Sequence, residues 1–452
     1  MLTLRALCVM PIDGPLIIGG EVVVDGDLIV EVRPRSRLAD HVIDFGQAIL
    51  MPGLVNAHSH LEYTVLRGFL EDVAFFAWIR ALTAMKAHLS RADWEISAKL
   101  GALECIAAGI TTIGDNTDAG VTALAAIESG LRAVVYQEVF GIDHREPVEP
   151  LITGLKDKVN ALRSEIDRSG AGARMGVGVS PHAPYTIRPE LFAALREYAG
   201  AEELPMSIHV AESPAESELI EHGTGPFGEM LARRGILWRT PSVSPTRYVF
   251  DQGILGPKSV AVHCVHQSDE DIALIAQSGA AIVHCPKSNA KLGAGIAPLA
   301  KWLDSELTVG LGTDSAVSNN TLDLFEEMRF ALFLQRAARE QVEGITARQI
   351  VQMATGGGAK ALGLDDKIGA LTPGRQADVI AVRLDSPHII PARDPYSALV
   401  YSARAEDVCF TLGSGKILYE RGEWHTLNKD QLAEQATIIR SRAQSAARHS
   451  VQ

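Results

Sequence analysis

The sequence predicts an α/β fold, a (β/α)8 TIM-like barrel carrying a small β-sandwich domain built from both chain ends. Three observations predict it. The chain has 452 residues, too many for one ordinary domain and suited to a barrel of about 250–400 residues with an appendage. Its middle alternates short β-rich apolar runs with helical stretches, eight times over, as parallel strands joined by crossover helices do. The two ends alternate apolar and polar residues instead, in the manner of antiparallel strands.

The elements follow in order. Strands are expected at 2–9, 21–24 and 28–32, with Asp25-Gly26 turning between the last two. The eight barrel strands read as 54–60, 111–117, 133–140, 175–179, 205–210, 260–265, 281–285 and 307–312. Helices are expected at 91–108 with Ser90 as N-cap, and at 190–198, 215–234, 269–277 and 322–339. Gly109, Gly130 and Gly279 sit where C-terminal stops belong. Positions 237–256 read as an irregular insertion before the sixth strand. Beyond the barrel, 378–384, 399–403, 408–412 and 416–420 read as strands, and 429–448 as a surface helix. The expected division is therefore 1–50 with 365–425 as the β-domain, 51–364 as the barrel and 426–452 as a closing helix.

Composition removes several function classes. Net charge is -13, and no Lys/Arg cluster offers a footprint for a phosphate backbone, so no nucleic-acid partner is expected. No apolar run reaches the length of a membrane span, and the N-terminus lacks the basic start and long apolar core of a secretory signal. The five cysteines (Cys8, Cys105, Cys264, Cys285, Cys409) are odd in number and form no CxxC pair. They read as buried, reduced thiols of a cytoplasmic protein. A small-molecule substrate remains as the expected partner.

In a barrel of this kind the active site lies at the C-terminal ends of the strands. The first run closes with His58-Ser59-His60, two imidazoles on one face of a strand. His182 follows the fourth run. His209 ends the fifth with Glu212 just beyond, the sixth contains His263, and Asp314 follows the eighth. Imidazole nitrogens with a carboxylate oxygen suit zinc, with iron(II) or manganese(II) as alternatives. A lone histidine is commonly a half-buried polar group, and His88, His144, His222 and His388 read that way. His266 and His284 stand near the barrel mouth and stay open. Asp314 alone could be a turn or cap residue. Ligand-capable side chains at four strand ends argue against coincidence.

The segments "MPGLVNAHSH", "HVAE", "VHCVH", "HCPKSN" and "GLGTDSAVSNN", in this order, resemble the amidohydrolase superfamily, and within it the cytosine deaminase-like and chlorohydrolase-like branch. "GALTPGRQADVIAV" is similar to that family's return from the barrel into the β-domain, so the resemblance covers nearly the whole chain. It implies a metal held by His58, His60, His209 and Asp314. Two-metal members carry a bridging modified lysine at the fourth strand; "MGVGVSPHAPYT" has none, which implies a single ion. Zinc brings a bound water to a pKa of about 7. Displacing an amino group from an electron-poor ring carbon then needs a carboxylate that shuttles protons. Glu212 fits that role, His263 would stabilise the attacking oxygen, and Asp314 would accept a proton while remaining a ligand.

For the substrate, "SPHAPYT" resembles the fourth-strand motif of methylthioadenosine and S-adenosylhomocysteine deaminases, which implies that His182 meets a purine ring. Those enzymes carry a proline soon after the first HxH and a glutamate after a tryptophan; here no glutamate follows Trp78 in "FFAWIRALTAMKAHLS". "HSHLEYTVLRG", "FFAWI" and "HVAESPAESELIEHGTGPFGEML" look more like the aminodeoxyfutalosine deaminases of the alternative menaquinone pathway. The expectation is a 6-aminopurine nucleoside with a carboxylate-bearing tail. Arg67, Arg80 and Arg188 are candidates to read that tail, Glu62 and Trp78 to line the site, and 65–87 to cover it. The rival activities are guanine-type deamination and triazine dechlorination. A non-catalytic scaffold would be expected to lose ligands or shuttle, and all are present. The resemblance is compatible with a homo-oligomer.

Overall fold

Eight parallel strands lie side by side in chain order: Leu54–Ser59, Ile110–Thr117, Arg132–Val139, Met175–Pro181, Met206–Val210, Ser259–His263, Ala281–His284 and Val309–Leu311. The ring closes through Asp314. It pairs with Ser59 and donates its backbone N–H to the His58 carbonyl at 3.0 Å. Asn56 clasps Thr313 beside it through hydrogen bonds of 2.7 and 2.9 Å. Gly312 permits this approach, because a Cβ there would stand 2.9 Å from the His58 Cβ and carbonyl oxygen. Val55, Val134, Tyr136, Val260, Val262 and Val283 form one apolar cluster across strands that are not all neighbours, so they fill the barrel interior. The computed structural model describes residues 1–36 and 41–450. Positions 37–40 and 451–452, which the expected β-domain and closing helix include, lie outside the described residues.

Local chemistry sets the helices. Arg91–Ala107 starts at Ser90, which forms a reciprocal capping box with Asp93. Gly109, Gly130 and Gly279 adopt φ of 79°, 87° and 74°, the left-handed conformation that ends a helix. The helix expected over 215–234 is instead interrupted: Pro214–Ser217 runs on into one wider turn, Glu218–His222, and Gly223, left-handed at φ 70°, separates these from Gly225–Arg233. The strand expected over 399–403 is a helical turn, Ala398–Ser402; so short an apolar run carries no period that separates the two. The insertion over 237–256 contains one short helix, Pro245–Asp251. Val148–Ser169, absent from the sequence expectation, is an amphipathic helix burying Ile152, Leu155, Val159, Leu162 and Ile166.

The chain ends build a second, continuous sheet of nine mostly antiparallel strands. Its N-terminal and C-terminal halves meet where Val379–Arg383 runs antiparallel to Ala48–Pro52. The two wings share an apolar core in which Leu4, Val22 and Ile29 gather with Phe410 and Leu412. The closing helix, Lys429–Ser450, buries Leu432, Ala436, Ile439 and Ala443. Arg442 on it also pairs with Asp93. All five cysteines are buried and free. Among the described residues, no helix is long and apolar enough to cross a membrane.

Candidate active site

Four side chains converge where the barrel closes. The pairing of the first strand with the second slips between Asn56 and Ser59, at the strand end that carries His58 and is followed by His60. The fifth strand brings His209, and the turn after the eighth brings Asp314, whose φ is 57°. Ligand atoms of His58, His60 and His209 all lie within 4.8 Å of one another, as do those of His58, His263 and Asp314. His60 Nε2 is 3.2 Å from His209 Nε2, and Asp314 Oδ1 is 3.5 Å from Nε2 of both His58 and His60. Two buried ring nitrogens, His58 Nε2 and His60 Nδ1, have no hydrogen-bond partner. The first of these faces Asp314 Oδ1, and with the Nε2 atoms of His60 and His209 it makes a donor set of the kind a divalent cation takes.

The protonation states agree with that fit. Burial lowers the pKa of His58, His60 and His209, favouring the neutral, ligating imidazole. Burial alone would raise Asp314, but the adjacent His58, with His263 and His60 around it, holds it well below the usual carboxylate range. The candidate ligands are themselves oriented. His209 Nδ1–H donates to the His182 carbonyl at 2.7 Å, leaving Nε2 for the centre. Asp314 Oδ2 accepts from the Ser288 and Ser318 hydroxyls at 2.7 and 2.8 Å, leaving Oδ1 for the centre.

Beside this cluster stands a second pair of buried titratable groups, Glu212 and His263. Glu212 lies two residues beyond the end of its strand, and its Oε1 is 3.6 Å from His263 Nε2. Burial, with the Asp314 charge second, pushes its carboxyl well above the usual range, so it can hold a proton. His263 Nδ1–H donates to Asn289 Oδ1 at 2.8 Å, which aims Nε2 toward Glu212. The backbone at this corner is unusual: Ala211, His263, Cys264 and Asp314 all have positive φ, between 50° and 71°. Strain of that kind collects where a site must be held in one geometry.

A cavity of about 670 Å³ opens from the cluster. His60, His209, Glu212, His263 and Asp314 reach it from one side. His182 lines it, with its Nδ1 3.1 Å from Thr186 Oγ1 and Phe140 4.6 Å away, and burial lowers its pKa to about 3, so it is neutral. The segment expected to cover the site forms the helix Phe75–Lys86; Phe75, Trp78, Ile79, Arg80 and Leu82 from it line the cavity.

Three expected substrate residues are elsewhere. Arg67 pairs with Glu104 away from the cavity. The buried Arg188 donates to the carbonyls of Asp143 and Glu146 and so braces that loop. Glu62 is wholly engaged, accepting from Thr117 Oγ1 at 2.6 Å and from the backbone of Asp118 and Ala119 at 3.0 and 3.1 Å. Arg80 remains on the cavity wall, joined by Arg234, and neither guanidinium has an acidic partner among the described residues. His266 bonds the Ala294 carbonyl and His284 packs on Trp302; neither lines the cavity.

Sequence reasoning passed over other polar groups at the cavity. Lys86 Nζ donates to the Tyr63 hydroxyl at 2.7 Å and to Asp118 at 3.1 Å. Glu138 is buried at the end of the third strand, and its Oε1 has no partner. Lys86 ends a helix with no visible tie to a strand end. The place of Glu138 after two β-branched residues and an aromatic was the one available clue.

Comparisons with known proteins fit this geometry. The profile of the Amidohydrolase family matches residues 49–418. A 5-methylthioadenosine/S-adenosylhomocysteine deaminase from Moorella thermoacetica is 35% identical over 95% of this chain and 96% of its own. A 5'-deoxyadenosine deaminase from Methanothermobacter thermautotrophicus is 33% identical over 92% of this chain and 93% of its own. Among solved structures, an adenosine deaminase from Xanthomonas campestris with bound zinc superposes with a TM-score of 0.86 at 26% identity, covering 98% of each chain. An atrazine chlorohydrolase from Arthrobacter aurescens shares the fold at a TM-score of 0.83 and 23% identity, covering 97% of this chain and 100% of its own.

Proposed function

We infer, from the premise that this chain belongs to the amidohydrolase family, that it hydrolyses the 6-amino group of an adenosine-type nucleoside, yielding the 6-oxo nucleoside and ammonia. It is a hydrolase of carbon–nitrogen bonds. The observation that carries the substrate class is the joint placement of Glu212 and neutral His182 on one cavity, with the histidine–aspartate cluster at its inner end. His58, His60, His209 and Asp314 would hold the metal, and zinc is the ion their chemistry favours. When bound, the ion supplies an activated water at neutral pH.

The rest belongs to the chain's own residues. Glu212 gives its proton to the ring nitrogen beside the amino-bearing carbon, takes up a proton from the attacking water, and passes that second proton to the amine, which departs as ammonia. Its raised pKa suits a group that must hold and release a proton in turn. Asn289 fixes the His263 ring against this carboxyl. His182, held by Thr186, meets a ring nitrogen of the purine. Phe75 and Trp78 close an apolar wall that keeps bulk water from the reacting face.

Within this class we favour aminodeoxyfutalosine. Arg80 and Arg234 leave two unpaired cationic groups on the cavity wall, as the carboxylate of its tail requires. The second reading is methylthioadenosine or S-adenosylhomocysteine, favoured by the names of the relatives. Ammonia release by the zinc-loaded protein should be measured against these three nucleosides, adenosine, guanine and a chloro-triazine. Turnover of aminodeoxyfutalosine well above the others supports the finer reading. Preference for a neutral tail removes it while keeping the reaction, and turnover of guanine or the triazine alone removes both.

A further inference from the structure

Glu212 sits on a turn that its own sequence does not favour. The chain leaves the fifth strand at Val210 and passes through Ala211 at φ 53°, a left-handed conformation that a Cβ disfavours. No glycine relieves it, so something outside the residue must impose it. The group in place is Glu216. Its carboxylate is wholly buried, and its two oxygens each take one backbone N–H, Ala211 at Oε1 and Glu212 at Oε2, both at 2.9 Å. Among the described residues no cationic side chain pairs with it. Ser213 in turn caps Glu216, accepting its N–H at 3.3 Å. In the S-x-x-E pattern a glutamate three residues past the cap ordinarily reaches back to the cap's own N–H. Here it reaches further, to the strained residue and to the proton carrier.

We propose that Glu216 is a positioning residue for the reaction: by clamping two consecutive N–H groups it holds Ala211 in its left-handed conformation and so sets Glu212 against His263 and the substrate. The inference rests on the reading of Glu212 as proton carrier. The ligand His209 lies upstream of the clamp, and its ring is fixed separately by the His182 carbonyl. Loss of the clamp should therefore move the proton carrier while sparing the metal centre. Burial pushes the Glu216 carboxyl up to about 8, a burden the site carries for a group that touches no substrate.

The test is Glu216→Gln, which keeps the size but sets an amide N–H₂ against one of the two backbone donors. The expected result is a kcat about 10- to 100-fold lower, as a displacement near 1 Å gives, with KM and metal content within twofold of wild type. In the double variant with Glu212→Gln, the residual rate should fall no further than in Glu212→Gln alone. A kcat near wild type, or a double variant whose losses multiply, overturns the proposal, as does a fall in metal content. Should Glu216→Gln fold poorly, Ala211→Gly added to it removes the need to hold a Cβ in that conformation. Recovery of kcat together with thermal stability supports the proposal, and recovered stability with kcat no higher than in Glu216→Gln overturns it. If Glu212→Gln itself is fully active, the reading of Glu212 falls, and this inference with it; a dead Glu212→Gln beside a fully active Glu216→Gln removes this inference alone.

Discussion

At the scale of single residues, the site separates side chains that do chemistry from those that hold them. In the proposed reaction Glu212 is the first kind. Glu212→Gln keeps the shape and removes the proton, so it should lower kcat by about 10²–10⁴-fold while zinc content by elemental analysis stays the same. Activity within a few-fold of wild type would take Glu212 out of the mechanism. Ser288 and Ser318 are the second kind, since both hydroxyls bind the far oxygen of Asp314. Ser318→Ala should weaken metal affinity by about 10–100-fold, read by competition with a chelator, and unaltered affinity would mean Asp314 needs no such support. The convergence of the short side chains His58, His60, His209 and Asp314 was legible from the sequence because a strand end fixes where a histidine or aspartate points. Arg67 and Arg188 were not, because a long flexible side chain can turn either way, and each found its partner outside the cavity.

At the scale of elements, the strand–helix alternation stood out where caps and glycines marked the boundaries, as at Ser90 and Gly279, although Val148–Ser169 was missed despite ending on the left-handed Gly170. It failed where apolar composition carried no period, as in Ala398–Ser402, and where a glycine inside a helical stretch broke it, as Gly223 does. Caps also couple elements that the sequence presents as separate. Asp271 accepts from the backbone and hydroxyl of Ser268 at 2.9 and 2.8 Å, closing the box on helix Asp269–Ser278. It also accepts from the hydroxyl of Ser244, the N-cap of Pro245–Asp251. Ser268→Ala removes one cap and should destabilise by about 1 kcal/mol. Asp271→Ala disturbs both caps and empties a buried site, so about 2 kcal/mol or more is expected. Urea denaturation of the two variants decides it, and equal midpoints would mean the second helix draws nothing from Asp271.

For the whole molecule, the question is why a catalytic barrel carries a sheet made from its two ends. The sheet does not reach the catalytic cluster: no residue of its strands lines the cavity. What it does reach is the opposite end of the barrel. Arg132, the first residue of the third barrel strand, forms an almost fully buried ion pair with Asp378 at 3.0 Å, and also bonds Gln376 at 3.2 Å and Ser414 at 3.0 Å. Asp378 further takes the Ser414 backbone N–H at 2.6 Å. One guanidinium thus ties the start of a barrel strand to both C-terminal segments of the sheet. The sequence could locate the two strand-rich ends by their alternation, but this tie joins positions more than two hundred residues apart and leaves no local pattern. Removing one partner of a buried pair strands the other charge, a loss of about 3–5 kcal/mol. Asp378→Ala should therefore lower the thermal midpoint strongly. Because the pair stands at the end of the barrel that carries stability rather than chemistry, kcat and KM of the protein that remains folded should stay within about twofold of wild type. A comparable fall in kcat at temperatures where the variant is fully folded would mean that the terminal sheet acts on the catalytic end as well, through the strands that run between them.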